Sequence, residues 1–445
     1  MKKVLLMVLA GVLAGAFAPA RAADDGENKF EFDGMVRARY EYLNNYLDQF
    51  DNQSGSSAFD DAFGVTPYRV MIGMTGMFAH DITAHADLQY VGSFGDENPN
   101  KDFDPFAPNG GPTGQGDTSQ RFATQGVQLY QGWLELGHIG GSDFSVRAGR
   151  AEHTYGTEFV MGDNDFYSGQ SFDGVRGMWQ HGASDLNVFY YKVAERNCIF
   201  GIECDGLGGS TDANLFGGTY DWTFKNWGTV GGYIIVGQDL ESDTKVNNIG
   251  VRWNRDMMTG DKLNMFDWNV EYLMQTGDFD GITTPETKIK GMAYELWFAF
   301  NFNAGNSHGR VHIGTLATSG DDLTTTDNEE YVDMFGDFHA HNRFGDLDWV
   351  DQNGQSDTTD YNIGYEHWFG TNHYVMLAYH MFQETESNGA AEDKIGDEID
   401  LKYGYQMSKN LAFSVMIGQA SPNDDFFGGP TDPVQRIYGQ AEVRW

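Results

Sequence analysis

The sequence predicts an all-β protein: a transmembrane antiparallel up-and-down β-barrel of about eighteen strands, with short periplasmic turns and long extracellular loops. Three observations lead there. Apolar and polar residues alternate in stretch after stretch, the period of two that a strand with two unlike faces requires. Short and long connections alternate between those stretches. The last stretch, residues 434–445, keeps Ile437, Gly439, Ala441, Val443 and Trp445 on one parity and Arg436, Tyr438, Gln440, Glu442 and Arg444 on the other.

Lys2 and Lys3 precede an apolar run over residues 4–18, and Ala20-Arg21-Ala22 offers a small-residue cleavage site. Residues 1–22 are therefore expected to be a secretory signal peptide. The remainder, 23–445, reads as a single barrel domain. The first strand is expected over 32–42, with Val36, Ala38 and Tyr40 on one face and Arg37, Arg39 and Glu41 on the other. The second follows at 68–78 and the third at 82–90. Further strands centre near Leu134, Val146, Arg176, Phe189, Tyr220, Tyr233, Gly250, Val270, Leu296 and Ile313. The last centre near Ile363, Leu377, Leu401, Val415 and Gly439. Short connections fall at 80–81, 137–143, 181–184, 225–227, 304–308, 370–373 and 408–410, with a longer one at 255–265. The largest long connections are 94–126 and 319–355. A barrel of this size should enclose an aqueous channel.

Composition agrees. The 57 Gly suit a turn-rich β chain, and 32 Phe, 22 Tyr and 10 Trp suit aromatic girdles at two membrane interfaces. After the signal, no apolar run is long enough for a membrane helix. The net charge of −37 argues against nucleic-acid partners. Cys198 and Cys204 are the chain's two cysteines. An exported protein meets an oxidising compartment, so a local disulfide is expected between them.

The terminal strand resembles the closing strand of bacterial outer-membrane barrels, whose aromatic C-terminus is read by the assembly machinery. That makes Trp445 the expected assembly signal and the bacterial outer membrane, with its lipid and lipopolysaccharide, the expected surroundings. Residues 147–176 carry Gly149, Arg150, Glu152, Tyr155, Gly156, Gly162, Asn164, Asp165 and Ser171-Phe172-Asp173-Gly174-Val175-Arg176. This segment resembles the signature of the alginate-export outer-membrane family. His153, Phe166 and Gln170 depart from the family's pattern. The resemblance implies a porin-like barrel. It leaves open a passive channel for small hydrophilic solutes or a dedicated exporter of an acidic exopolysaccharide with periplasmic export partners.

Strand parity assigns a mixed lumen, with bases such as Arg69, Arg252, Arg310, Lys402 and Arg436 and acids such as Glu135, Asp267, Glu295, Asp360, Glu398 and Asp400. A conduit for a polyanion should show a basic excess. If the third long loop folds inward, its Glu152, Asp163 and Asp165 with Asp173 would face Arg37, Arg39, Arg147, Arg150 and Arg176 across a constriction. The acid runs at 321–330 and 346–351 do not match a calcium loop and are expected to be solvated. No metal, cofactor or catalytic constellation is expected, and the chain is not read as an enzyme.

Overall fold

The protein is described here by a computed structural model covering residues 28–45, 62–79, 81–94, 127–163, 165, 169–194, 213–239, 244–259, 262–279, 287–336, 344–347, 349–350, 356–386, 393–427 and 431–445. The expected signal peptide and both cysteines lie outside those residues.

The main sheet has 20 strands. Two of them, Ala62–Val65 and Thr287–Ile289, are short extensions at the loop rim. The remaining eighteen cross the wall. They are β1 Lys29–Asn44, β2 Pro67–Phe78, β3 Ile82–Ser93, β4 Gln128–Leu136, β5 Phe144–Ala151 and β6 Phe172–His181. Next come β7 Ser184–Ala194, β8 Ala213–Phe224, β9 Gly228–Asp239, β10 Thr244–Arg255, β11 Phe266–Phe279 and β12 Met292–Ala304. The last are β13 Ser307–Thr318, β14 Thr358–Phe369, β15 His373–Glu384, β16 Lys394–Ser408, β17 Leu411–Pro422 and β18 Val434–Arg444. Each strand centre expected from the alternation falls inside one of these strands. Every strand pairs antiparallel with the next, and β18 returns to β1 from Met35↔Arg444 to Asn44↔Gln435. Closure leaves no edge of unpaired amides and carbonyls, which lipid could not solvate.

At the seam, the Trp445 amide donates to the Gly34 carbonyl (3.2 Å) and the Gly34 amide to the Trp445 carbonyl (3.3 Å). A Cβ on residue 34 would lie 2.3 Å from the Trp445 ring, so glycine is what lets the indole lie across β1.

The outward parity is apolar and exposed, as at Val36, Tyr40, Leu296, Phe298 and Ile363. Phe30, Phe144, Phe224, Phe266, Phe369 and Trp445 are exposed at the short-turn end, where an aromatic girdle belongs. This is an outer-membrane barrel, with its apolar band facing lipid. The inward parity is polar near the short turns. Towards the long loops the interior departs from the expectation of an open aqueous lumen. Phe159, Met161, Phe172, Tyr191, Leu215, Ile235, Leu273, Leu316, Tyr331, Leu347, Trp349 and Phe382 form one buried cluster inside the barrel. The cause is that two loops fold inward and bring apolar side chains with them.

Candidate functional site

The first inward segment is the described part of the connection between β5 and β6, residues 152–163, 165 and 169–171. It crosses the lumen. The Tyr155 hydroxyl donates to Asp221 on β8 (2.8 Å), and the Arg252 guanidinium of β10 lies 4.6 Å over the Tyr155 ring. The Thr157 amide donates to Glu271 on β11 (2.8 Å), whose other oxygen accepts the Tyr233 hydroxyl (2.7 Å). Gly156, at φ +66°, passes so close to Glu271 that a Cβ would lie 2.4 Å from its carboxylate. Only glycine combines that backbone with that approach.

The segment then returns towards the seam. Arg37 donates to the Asp165 carbonyl (2.7 Å) and sits 3.8 Å from its carboxylate. Arg69 pairs with the same carboxylate, donates to Gln89 (2.8 Å) and lies 4.9 Å over the Tyr130 ring. Asp163 accepts the Asp165 amide (3.2 Å). Glu152 accepts the Tyr130 hydroxyl, and burial pushes its carboxyl above the usual range. His153 meets the Tyr191 hydroxyl (2.8 Å) and packs edge-on to Phe189. Burial, with Arg176 and Arg147 nearby, holds its imidazole well below the usual value.

The expected constriction residues thus divide. Arg37 meets the loop acid Asp165. Arg39 instead contacts Gln440 (2.9 Å) and Glu41 (3.4 Å) within the wall, over the Tyr438 ring (4.8 Å). Arg147 pairs with Glu135 (2.7 Å) and stacks 3.9 Å over Trp133, while Arg176 bonds Asn187 (2.9 Å). Arg150 and Asp173 need correction. They pair with each other (2.5 Å), half exposed, on the parity of outward-facing Leu134 and Val175. They therefore lie on the outer face of the wall, because the strand register, and not nearness in sequence to the loop, sets which way a side chain points. Asn164 and Phe166 lie outside the described residues.

A second inward segment lies between β13 and β14, where the sequence leads to the expectation of a solvated loop. Gln275 on β11 exchanges two hydrogen bonds with the Val332 backbone (2.8 Å each). The Tyr331 hydroxyl donates to the Phe159 carbonyl, the Gly162 amide to the Phe335 carbonyl (2.8 Å), and the Gln170 amide group to the same carbonyl (3.3 Å). The two loops are thereby joined to one another. Further on, the amides of Asp346 and Leu347 donate to Glu398 (2.8 and 3.1 Å), and the Asp346 carbonyl accepts Arg436 (3.1 Å). Asp346 is buried at 7 % exposure, which corrects the expectation that its acid run is solvated. His380 lies beside Asp360 (2.9 Å). Asp348, Asp351, His339 and His341 are outside the described residues.

Below the loops is a cavity of about 410 Å³, walled by β10–β15 with Gly156 above. Arg252, Asn254, Asp267, Glu295, Trp297, Arg310, Asn362, Glu366, Tyr374 and Met376 line it. Two of its arginines meet carboxylates, and the third, Arg255, donates to the Asn264 amide oxygen (2.9 Å). Arg310 meets Glu366 (2.5 Å) and Asp267 (3.3 Å), and Arg252 meets Asp221 (2.9 Å). The same holds elsewhere in the lumen, where Arg436 meets Glu41 (2.9 Å) and Lys402 faces Asp346 (3.8 Å).

A family model described as alginate export matches residues 93–422, most of the chain. No curated protein matches. Among solved structures, Pseudomonas aeruginosa OccK9 (OpdG) is similar, with a TM-score of 0.60 at 10 % identity, covering 94 % of this chain and 99 % of that one. P. aeruginosa OccK2 (OpdF), in complex with glucuronate, has a TM-score of 0.58 at 9 % identity, covering 94 % and 98 %. P. aeruginosa OpdK, solved with vanillate, has a TM-score of 0.56 at 12 % identity, covering 93 % and 99 %. At these identities the likeness is one of fold.

Proposed function

This chain belongs to the alginate-export family, and from that premise we propose that it is a passive outer-membrane channel for small hydrophilic solutes, charged ones included, and not an enzyme. One observation carries the reading. Among the described residues most lumen cations meet carboxylates: Arg37 and Arg69 meet Asp165, Arg147 meets Glu135, Arg252 meets Asp221, and Arg310 meets Glu366 and Asp267, while Arg176 meets the Asn187 amide. An acidic polymer threading this barrel would find no continuous basic track to replace its hydration, and like charge would repel it where screening is weak. A small solute needs no such track. Barrels of the same fold solved with vanillate and with glucuronate support one-ring solutes as cargo. The constriction is formed by residues 152–163 and Asp165 against Arg37 and Arg69.

Export of an acidic exopolysaccharide, with periplasmic export partners, is the second reading, and the family match favours it. Lipid, lipopolysaccharide and the barrel assembly machinery are partners under both.

Planar-bilayer recording and liposome swelling separate the readings. The channel reading expects stable conductance and swelling with monosaccharides, unaffected by alginate oligomers. Block of the current by alginate oligomers at micromolar concentration, without monosaccharide flux, would favour export. A silent bilayer with no swelling would refute both.

A further inference from the structure

We infer that the cavity beneath the two loops is a binding station for a neutral polyhydroxylated solute of one or two sugar rings. The inference rests on the channel reading and names the solute class that the lumen prefers.

At about 410 Å³ the cavity falls within the range of small-molecule sites. Its charged groups are already engaged at contact distance, Arg310 by carboxylates and Arg255 by the Asn264 amide oxygen (2.9 Å). Glu366 takes Arg310 Nε (2.7 Å) and the Tyr374 hydroxyl (2.8 Å). Asp267 takes Arg310 (3.3 Å) and Asn301, and Glu295 takes Asn269 (2.8 Å). A charged solute entering here must displace one of these contacts or lose its own hydration, and both are costly. A sugar hydroxyl pays neither cost. Two cavity residues, Asn254 and Asn362, each engage their amide nitrogen, with Asp256 (3.4 Å) and Asp360 (2.9 Å). Their amide oxygens are buried and have no partner within the protein. These are acceptors suited to hydroxyl donors. Trp297, Leu316, Met376 and Ala378 supply apolar surface for the C–H faces of a ring. Neutral acceptors, compensated charge and apolar patches together fit a polyol better than an organic acid or an amine.

The test uses the full mature chain in liposomes, with glucose, glucuronate and glucosamine as probes of one ring size. Glucose should drive the fastest swelling. Asn362→Asp should raise the glucosamine-to-glucose ratio roughly tenfold, the effect of about 1.4 kcal/mol. Glu366→Gln, which removes a carboxylate from Arg310, should raise the glucuronate-to-glucose ratio. Heat-modifiable migration checks that each variant folds, and if one does not, the wild-type comparison still decides. Conductance with equal or faster flux of either charged sugar means a water-filled chamber only and overturns the inference, while the channel reading stands. Unchanged ratios in folded variants overturn it as well. Absence of both conductance and swelling overturns the channel reading itself.

Discussion

Asp165→Asn is the most informative single change, because one carboxylate holds the returning limb of the inward loop to the seam wall. It serves Arg37, at 3.8 Å, and Arg69 in direct contact. At an effective dielectric of about 20, a 3.8 Å pair has a gross attraction of ~4 kcal/mol. Asp165 is 42 % exposed, so solvent screens much of that. Asparagine keeps the shape and one acceptor, and Arg37 keeps its bond to the backbone carbonyl (2.7 Å). The net loss should be about 1–2 kcal/mol, the scale of a hydrogen bond to a charged group. It should be local, since the strand-to-strand ladder is made by backbone groups and not by this side chain. Amide exchange at 155–163 should accelerate roughly tenfold, the effect of 1.4 kcal/mol, with the wall strands unchanged. In a bilayer, the lost negative charge should move the reversal potential towards chloride, and loop opening should add current noise. Unchanged exchange together with an unchanged reversal potential would refute both the anchoring and the loop's place beside the conduction path.

Three further outcomes follow. Gly34→Leu should obstruct the Trp445 ring at the seam and lower the yield of heat-modifiable barrel; a normal yield would remove the closing role of that contact. Glu398→Gln should weaken the bonds from the Asp346 and Leu347 amides by about 1 kcal/mol. Limited proteolysis of the 319–357 segment should then be faster, and an unchanged rate would count against the docking. His153 has a depressed folded-state pKa, so the docked loop refuses a proton that the undocked loop accepts near pH 6.5. Docking is therefore at full strength above that pH and weakens as pH falls below it. Channel noise should rise between pH 7 and 5 in the wild type and not in His153→Phe; identical profiles would remove histidine from the cause.

The wall was legible because the lumen and lipid demand opposite chemistry from adjacent residues. Each strand writes that demand as alternation, as at Met292 to Phe300. Parity itself puts Arg150 and Asp173 on the outer face with Leu134 and Val175, and nearness in sequence to a loop is a poor guide to direction. Alternation places Arg69 in the lumen, but nothing in its own strand points to a partner 96 residues away. The second inward segment was masked by its acids. Its signal was present in Tyr331, Phe335, Phe344, Leu347 and Trp349, apolar residues too many for a solvated loop. Recognising them requires asking where an apolar side chain in a polar stretch could be buried, and a barrel offers only its own interior.

The bonds between the two inward loops, Gly162 to Phe335, Gln170 to Phe335 and Tyr331 to Phe159, tie them into one unit inside the barrel. Neither segment can be displaced alone without stripping carbonyls from their donors inside the barrel. Transplanting residues 152–171 into another scaffold would therefore carry the shape of the loop but not its rest position. A new specificity at this mouth has to be written into both segments at once, so relatives that have diverged in one should have diverged in step in the other.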